Sequence, residues 1–363
     1  MKKISVITLH RVFNYGSVLQ AYATQEILKK HNVIPEIIDY IPKNWQTKHL
    51  LFNISKKNGF VKDSIYMLLR AGSVFFKQKT LWRFLKTKLS MTKPYKSYEE
   101  LCENPPAADI YCTGSDQVWN SGYCNMDKSF FLQFGDKNIK RIAYAASIGA
   151  KALDLAEERI VSGYLKDYSH ISVREDSAVN ILEKMGYNST CIIDPTLQLE
   201  KEKWISLASK RLIKEKYLIL MLLYNEDNNA TQIARKIADE KGLKLVKISW
   251  EMIKPKNVDI LMTHRSAEDF ISLFYHADFV VTNSFHGLAF SINLNKQFLA
   301  IKRNEYNSRI ENLLKLTGLE ERLVHMDYDK EITEKIIDYA PVNKILDCER
   351  KKADSFLEEA LNG

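Results

Sequence analysis

The stretch DFVVTNSFHGLAF, residues 278–290, sets a histidine where an apolar run meets a tight corner. The run up to Ser284 reads as a buried strand, and Phe285, His286 and Gly287 open a helix. A helix N-terminus disfavours an imidazolium, so His286 is expected to be mostly neutral in the empty protein. A polyanion bound beside it reverses this and raises its pKa. Such a histidine is a proton donor only while an anionic substrate is present. The competing reading is a core histidine with both nitrogens satisfied.

Other polar residues fall at similar corners. TGSDQVWN, residues 113–120, places Ser115, Asp116, Gln117, Trp119 and Asn120 just after an apolar run. Carboxylate and amide groups bond sugar hydroxyls, and an indole face covers the apolar side of a pyranose. Asp116 could also accept a proton from an attacking hydroxyl, or simply cap a helix. Arg174, in ISVRED, suits a phosphate or carboxylate, with an ion pair to Glu175 or Asp176 as the plainer alternative. Lys302, Arg303 and Arg309 follow a later apolar run and open a helix, where they can add anion contacts. Near the start, His10, Asn14, Tyr15 and Gly16 form a loop before a helix, and Gly16 lets a backbone amide approach a ligand. The glycine pattern there is not that of a dinucleotide site.

The elements that must hold these corners alternate. ISVITL, VIPEIIDY, ADIYCTGS, IKRIAYAASIGA, HISVRE and TCIIDPT read as strands, with helical spacing between several of them. After a linker at about 198–216 the alternation restarts with KYLILMLLYN, LKLVKISW, DFVVTNS and KQFLAIKR. SAEDFISLFYHA is a helix with a capping-box start at Ser266. The fold class is therefore α/β, with two Rossmann-like domains whose parallel sheets face a central cleft. The expected bounds are 1–200 for the acceptor-side domain, 201–340 for the donor-side domain and 341–363 for a C-terminal helix. A length of 363 residues fits two such domains.

Charge is uneven. The chain carries +8, but residues 43–96 hold thirteen Lys or Arg against one acidic residue, Asp63, a net +12. The same segment is rich in aromatics, Trp82, Phe84 and Tyr95 among them. A basic, aromatic, helical insertion fits an anionic membrane surface, or else a solvated face over an apolar stripe. No nucleic-acid-binding signature accompanies it, so nucleic acid is not an expected partner. No apolar run approaches the roughly 18 residues of a membrane span. The five cysteines show no C-x-x-C pair, which argues against structural zinc and fits a reducing cytoplasm.

In this order, NYGSVLQAYA, TGSDQVWN, YAASIG, SVRE, DPT and TNSFHG resemble the polysaccharide pyruvyl transferase family over roughly residues 4–320. The resemblance implies a GT-B-like fold and transfer of the pyruvyl group of phosphoenolpyruvate onto a sugar of a bacterial surface glycan. It implies His286 as the general acid; Asp116 stays the candidate base on its own chemistry. Arg174, Asn283, Ser284, Phe285, Gly287, Lys302, Arg303 and Arg309 fall on the donor side. Asn14, Tyr15, Gly16, Ser115, Gln117, Trp119 and Asn120 fall on the acceptor side. Phosphoenolpyruvate is a co-substrate, and neither a cofactor nor a metal is required. One departure stands out: family members often carry Arg two residues before the histidine, where this chain has Ser284. Arg309 or Arg303 could supply the missing charge.

If the acceptor is lipid-linked, the enzyme is expected to work in the cytoplasm as a peripheral protein of the inner membrane face. Two other functions compete: a nucleotide-sugar glycosyltransferase of the same shape, and a non-catalytic glycan-binding member. The helix after His286 lacks a carboxylate for a ribose diol, which weighs against the first. The presence of both His286 and Arg174 weighs against the second.

Overall fold

The computed structural model describes residues 1–42, 79–223, 228–250, 253–302, 307–325 and 329–363. Most of the basic insertion and Arg303 lie outside the described residues. Six strands form the first sheet: β1 Lys3–Ile7, β2 Ile34–Ile37, β3 Ile110–Thr113, β4 Lys140–Ala146, β5 Tyr168–Val173 and β6 Thr190–Cys191. Six more form the second: β7 Tyr217–Met221, β8 Lys244–Ser249, β9 Ile260–Thr263, β10 Phe279–Thr282, β11 Gln297–Ile301 and β12 Leu323–Val324. Both sheets are parallel throughout. Their central strands are continuous apolar runs because helices cover both faces; YLILM of β7 and FVVT of β10 are wholly buried.

Strand order fixes where ligands sit. The first sheet runs β2-β1-β3-β4-β5-β6, and the second runs β12-β11-β10-β7-β8-β9. The order reverses between β1 and β3 in one sheet, and between β7 and β10 in the other. Crevices open beyond the strand C-termini at such points. The loops leaving β1, β3 and β10 are the corners singled out in the sequence.

Seven helices matter to the site: α1 Tyr15–Lys30, α2 Pro195–Gln198, α3 Lys201–Leu207, α4 Ala267–His276, α5 Phe285–Asn293, α6 Ser308–Thr317 and α7 Tyr339–Asn362. All nine residues of α5 are buried, and α1 is buried from Tyr15 through Gln25. The expected capping box of α4 is present, with Ser266 and Asp269 bonding reciprocally.

Three details differ from the sequence reading, and the path of the C-terminal helix, left open by the sequence, is now seen. β9 and β12 were not anticipated, since ILMT and LV are too short to show a period. TCIIDPT is strand only at Thr190 and Cys191; Asp194 caps the short helix α2 instead. The linker contains α3, whose Trp204 is fully buried between Tyr22 of the first domain and Phe290 of the second. The C-terminal helix crosses back to the first domain, where Phe356 packs on Tyr144 and Lys2 donates to the Leu361 carbonyl. Among the described residues no helix is long and apolar enough to cross a membrane.

Candidate active site

The β3 loop brings in Asp116 with an unusual backbone. Its φ is +78°, a left-handed conformation that costs a non-glycine residue roughly 1–3 kcal/mol. The surroundings fix it there. The Asp116 carbonyl accepts from the amides of Val118 at 2.8 Å and Ser147 at 3.0 Å. Its Oδ1 accepts from the Gln117 amide at 2.9 Å and from Arg174 Nη2 at 3.1 Å, and its Oδ2 accepts from the Ser17 hydroxyl of α1.

Arg174 lies at the centre of the charges. Leaving β5, it donates through Nη1 to Asp194 Oδ2 at 2.5 Å and through Nη2 to Asp116, with its side chain wholly buried. Asp194 is held independently as the cap of α2. It accepts from the Thr196 amide at 2.9 Å, the Thr196 hydroxyl at 2.6 Å and the Ser115 hydroxyl at 3.2 Å. Glu175 Oε1 accepts from the Ser147 hydroxyl at 2.9 Å and from the amides of Ile148 at 2.9 Å and Gly149 at 2.8 Å. Burial pushes both aspartates up, but Arg174, then His286, and hydrogen bonds overcome it. The outcome is a depressed pKa for Asp116 and a value of about 2 for Asp194. Burial lowers Arg174, and Asp194 and Asp116 more than restore it.

His286 enters from the second domain. Ser284 ends the β10 corner and caps α5, accepting from the Gly287 amide at 3.3 Å. A Cβ at Gly287 would meet Thr282 Oγ1 at 2.4 Å, so only glycine lets the helix sit this close to its strand. The His286 ring is buried, with Nε2 3.9 Å from Asp194 Oδ2 and no hydrogen-bond partner among the described residues. Burial drives its pKa down; Asp194 and Asp116 pull upward, and Arg174 and Arg309 add to the lowering. The neutral ring expected from the sequence is obtained, with burial rather than the helix terminus as the main cause.

Two guanidinium groups flank Phe285. Arg174 Cζ lies 5.0 Å from the ring centroid and Arg309 Cζ, from α6, lies 5.6 Å away. Burial and then Arg174 lower the Arg309 pKa to about 10. Arg309 forms no ion pair among the described residues, in contrast with Arg174. The amides of Phe285 and His286, in the first turn of α5, likewise have no acceptor among them.

Several expected site residues serve the framework. Trp119 is 1% exposed; its ring stacks on Phe131 at 5.6 Å and its indole N–H donates to the Phe130 carbonyl, so it presents no face to a sugar. Tyr15 is 2% exposed and reaches into the second domain rather than open cleft. Asn14 caps α1 through the Gly16 amide. Asn283 Oδ1 accepts from the Leu223 amide at 2.8 Å, tying β10 to β7 at the switch point. Asn120 caps a short turn and donates to the Ile148 carbonyl, with Gln117 beside it at Gly149. Lys302 is exposed and paired with Glu311. Arg174 is engaged by Asp116 and Asp194, and its Nε also lies 3.9 Å from Glu175 Oε2, so the Glu175 pairing expected from sequence is present while no Asp176 pairing is found among the described residues. Asp194, Ser17 and Glu175 were missed as site residues. DPT was the only signal for Asp194, since a proline after an aspartate marks a helix start.

A sequence model of the polysaccharide pyruvyl transferase family matches residues 14–305. No curated protein matches the chain in sequence. Among solved structures, UDP-GlcNAc 2-epimerase from Methanocaldococcus jannaschii is 14% identical with a TM-score of 0.52, covering 99% of this chain and 100% of that one. The glycotransferase of kitacinnamycin is 12% identical with a TM-score of 0.50, covering 99% and 97%. UDP-GlcNAc 2-epimerase from Neisseria meningitidis is 12% identical with a TM-score of 0.50, covering 99% of each. These likenesses show the fold, two Rossmann-like domains as in GT-B glycosyltransferases and epimerases.

The charge cluster makes a pH prediction. A folded-state pKa of about 2 for Asp194, against 3.8 when unperturbed, contributes stability that is complete above about pH 4 and lost as pH falls toward 2. Arg174→Ala strands two buried carboxylates and should cost about 3–5 kcal/mol at pH 7. It should also reverse the slope, so that the variant gains on the wild type as pH falls from 5 to 3, over the ordinary carboxylate range. Urea unfolding at several pH values checks both; parallel pH curves would show that Arg174 does not hold the aspartates.

Proposed function

The chain belongs to the polysaccharide pyruvyl transferase family, a family of transferase enzymes, and we propose that it moves the pyruvyl group of phosphoenolpyruvate onto two hydroxyls of a glycan sugar. One observation carries the donor site: among the described residues the buried His286 Nε2 has no hydrogen-bond partner, the Phe285 and His286 amides at the start of α5 have no acceptor, and Arg309 has no ion-pair partner. Amides at a helix start and a guanidinium together suit a phosphate or carboxylate. Arg309 thus takes the anion-binding role in a chain that has Ser284 before its histidine corner. Arg174 stays with its aspartates and acts as scaffold.

The chemistry follows from these groups. The donor's negative charge raises the His286 pKa, and Asp194 at 3.9 Å stabilises the imidazolium. The imidazolium protonates C3 of phosphoenolpyruvate, leaving C2 as an oxocarbenium-like centre. A sugar hydroxyl bonds to C2 and its proton passes to the phosphate, which departs with the C2–O electron pair as hydrogen phosphate. The second hydroxyl then bonds to C2, closes the ketal and returns a proton to His286. Asp116, with three donors on its carboxylate and a depressed pKa, is a poor base, so its part is electrostatic.

Phosphoenolpyruvate should raise the melting temperature of the full chain; at 100 times its Kd the stabilisation is about 2.7 kcal/mol. Arg309→Ala should abolish the shift, and Lys302→Ala should keep it. A shift produced by sugar nucleotides alone, with none from phosphoenolpyruvate, would replace this reading with glycosyl transfer.

A lipid-linked acceptor is the form that best explains the basic segment. In helical residues 79–88, Lys79, Arg83, Lys86 and Lys88 are exposed while Leu81, Phe84 and Leu85 are buried. Arg11, from the loop after β1, stacks on Trp82 at 3.5 Å, which places this face beside the acceptor-side loop. Near anionic lipid each cation contributes about 1 kcal/mol. The chain should sediment with phosphatidylglycerol vesicles at low salt and leave them at high salt. Equal recovery with neutral vesicles would remove the membrane from the account.

A further inference from the structure

The first turn of α1 reaches both Asp116 and His286, and each of its residues does something different. Asn14 accepts from the Gly16 amide at 2.9 Å and sets the start of the helix. Ser17 donates to Asp116. Between them, Tyr15 and Gly16 cross into the second domain.

The Tyr15 ring is sandwiched between two aromatic rings of that domain. Trp250, just after β8, lies 4.6 Å away at 14°, and Phe270 of α4 lies 4.8 Å away at 16°. The Tyr15 hydroxyl donates to the Arg265 carbonyl at 2.9 Å. Stacking of this kind adds about 0.5–1.5 kcal/mol per ring pair beyond the area it buries.

Gly16 meets His286 itself. A Cβ at Gly16 would lie 2.0 Å from His286 Cγ and Nδ1 and 2.5 Å from its Cβ. These atoms are the root of the imidazole rather than its flexible end, so the ring cannot swing clear while its backbone stays in place. Only a residue with no side chain lets the two domains approach this far. With the ring seated on Gly16, Nε2 is left facing Asp194.

We infer that Tyr15 and Gly16 form a clasp that seats the His286 ring when the domains close, so that both are positioning residues for proton transfer. The functional half of this inference rests on His286 as the proton donor; the seating itself does not. Domain opening withdraws the tyrosine from its aromatic slot and the glycine from the ring together. In the arrangement seen the ring is seated on Gly16 with Nε2 3.9 Å from Asp194, so separation of the domains would undo that aim. The charged groups facing the ring are Asp194 and Asp116 on one sign, and Arg174 and Arg309 on the other.

The test is a histidine NMR titration of the full chain, with the His286 signal assigned by its loss in His286→Gln. In Gly16→Ala the ring loses its buried seat, and its midpoint should rise toward that of an ordinary imidazole. The stability cost of Gly16→Ala should largely vanish in a His286→Ala background. With substrate turnover established, kcat should fall at least tenfold with little change in acceptor KM. If Gly16→Ala does not fold, the Tyr15 variants decide. Tyr15→Ala should raise the midpoint, and Tyr15→Phe, which keeps both ring contacts, should leave it at the wild-type value. An unmoved His286 titration with an equal stability cost in both backgrounds would overturn the clasp, as would identical titrations for the two Tyr15 variants. Failure of phosphoenolpyruvate to act as donor would leave the titration and stability results standing, so the two readings fail separately.

Discussion

Burying an arginine is costly, and here it is done by placing the guanidinium between two carboxylates that are themselves held by other donors. Arg174 reaches Asp194 on one side and Asp116 on the other. Each aspartate comes from a different strand end, so the ion group fixes three loops of the first domain relative to one another. Removal of the arginine leaves two uncompensated charges in an apolar interior, which is the expensive case. The strained backbone of Asp116 is affordable because its carbonyl and its carboxylate are both fully engaged.

The second domain approaches this framework through α5. His286 brings an uncharged ring with an open nitrogen to the edge of the ion group, and Arg309 brings a second cation across Phe285. With Glu175 beside Arg174, the carboxylates of Asp116, Asp194 and Glu175 outnumber the guanidinium groups of Arg174 and Arg309 by one. In the proposed reaction a multiply charged donor changes this balance sharply, and protonation of His286 is the direct response. On that proposal, donor binding is coupled to the acid needed for the next step without a dedicated switch. The first turn of α1 ties the two domains together at this point, through Tyr15 and Gly16.

Much of this was legible in the sequence because parallel strands advertise themselves as apolar runs and ligand loops follow their C-terminal ends. The His286 corner and the Asp116 loop were found that way, and so was the two-domain layout. Partner choice was not legible. Arg174 keeps its neighbour Glu175 at 3.9 Å but makes its close pairs with Asp116 and Asp194, because adjacency in sequence says nothing about which strand ends converge. Trp119 looked like a sugar platform since an indole has the same chemistry on either side of a loop; only packing shows that its face meets Phe131. Asp194 was hidden inside what read as a strand, and four-residue elements such as β9 carry too few residues to reveal a period.

The central claim is that His286 supplies the proton that starts pyruvyl transfer. The most direct measurement incubates the full chain with phosphoenolpyruvate and a panel of sugars, following inorganic phosphate and the ketal methyl signal by NMR. The account predicts equal amounts of both from the wild type. From His286→Asn it predicts neither product, although phosphoenolpyruvate still protects that variant against unfolding. Ketal formation at the wild-type rate in His286→Asn would contradict it.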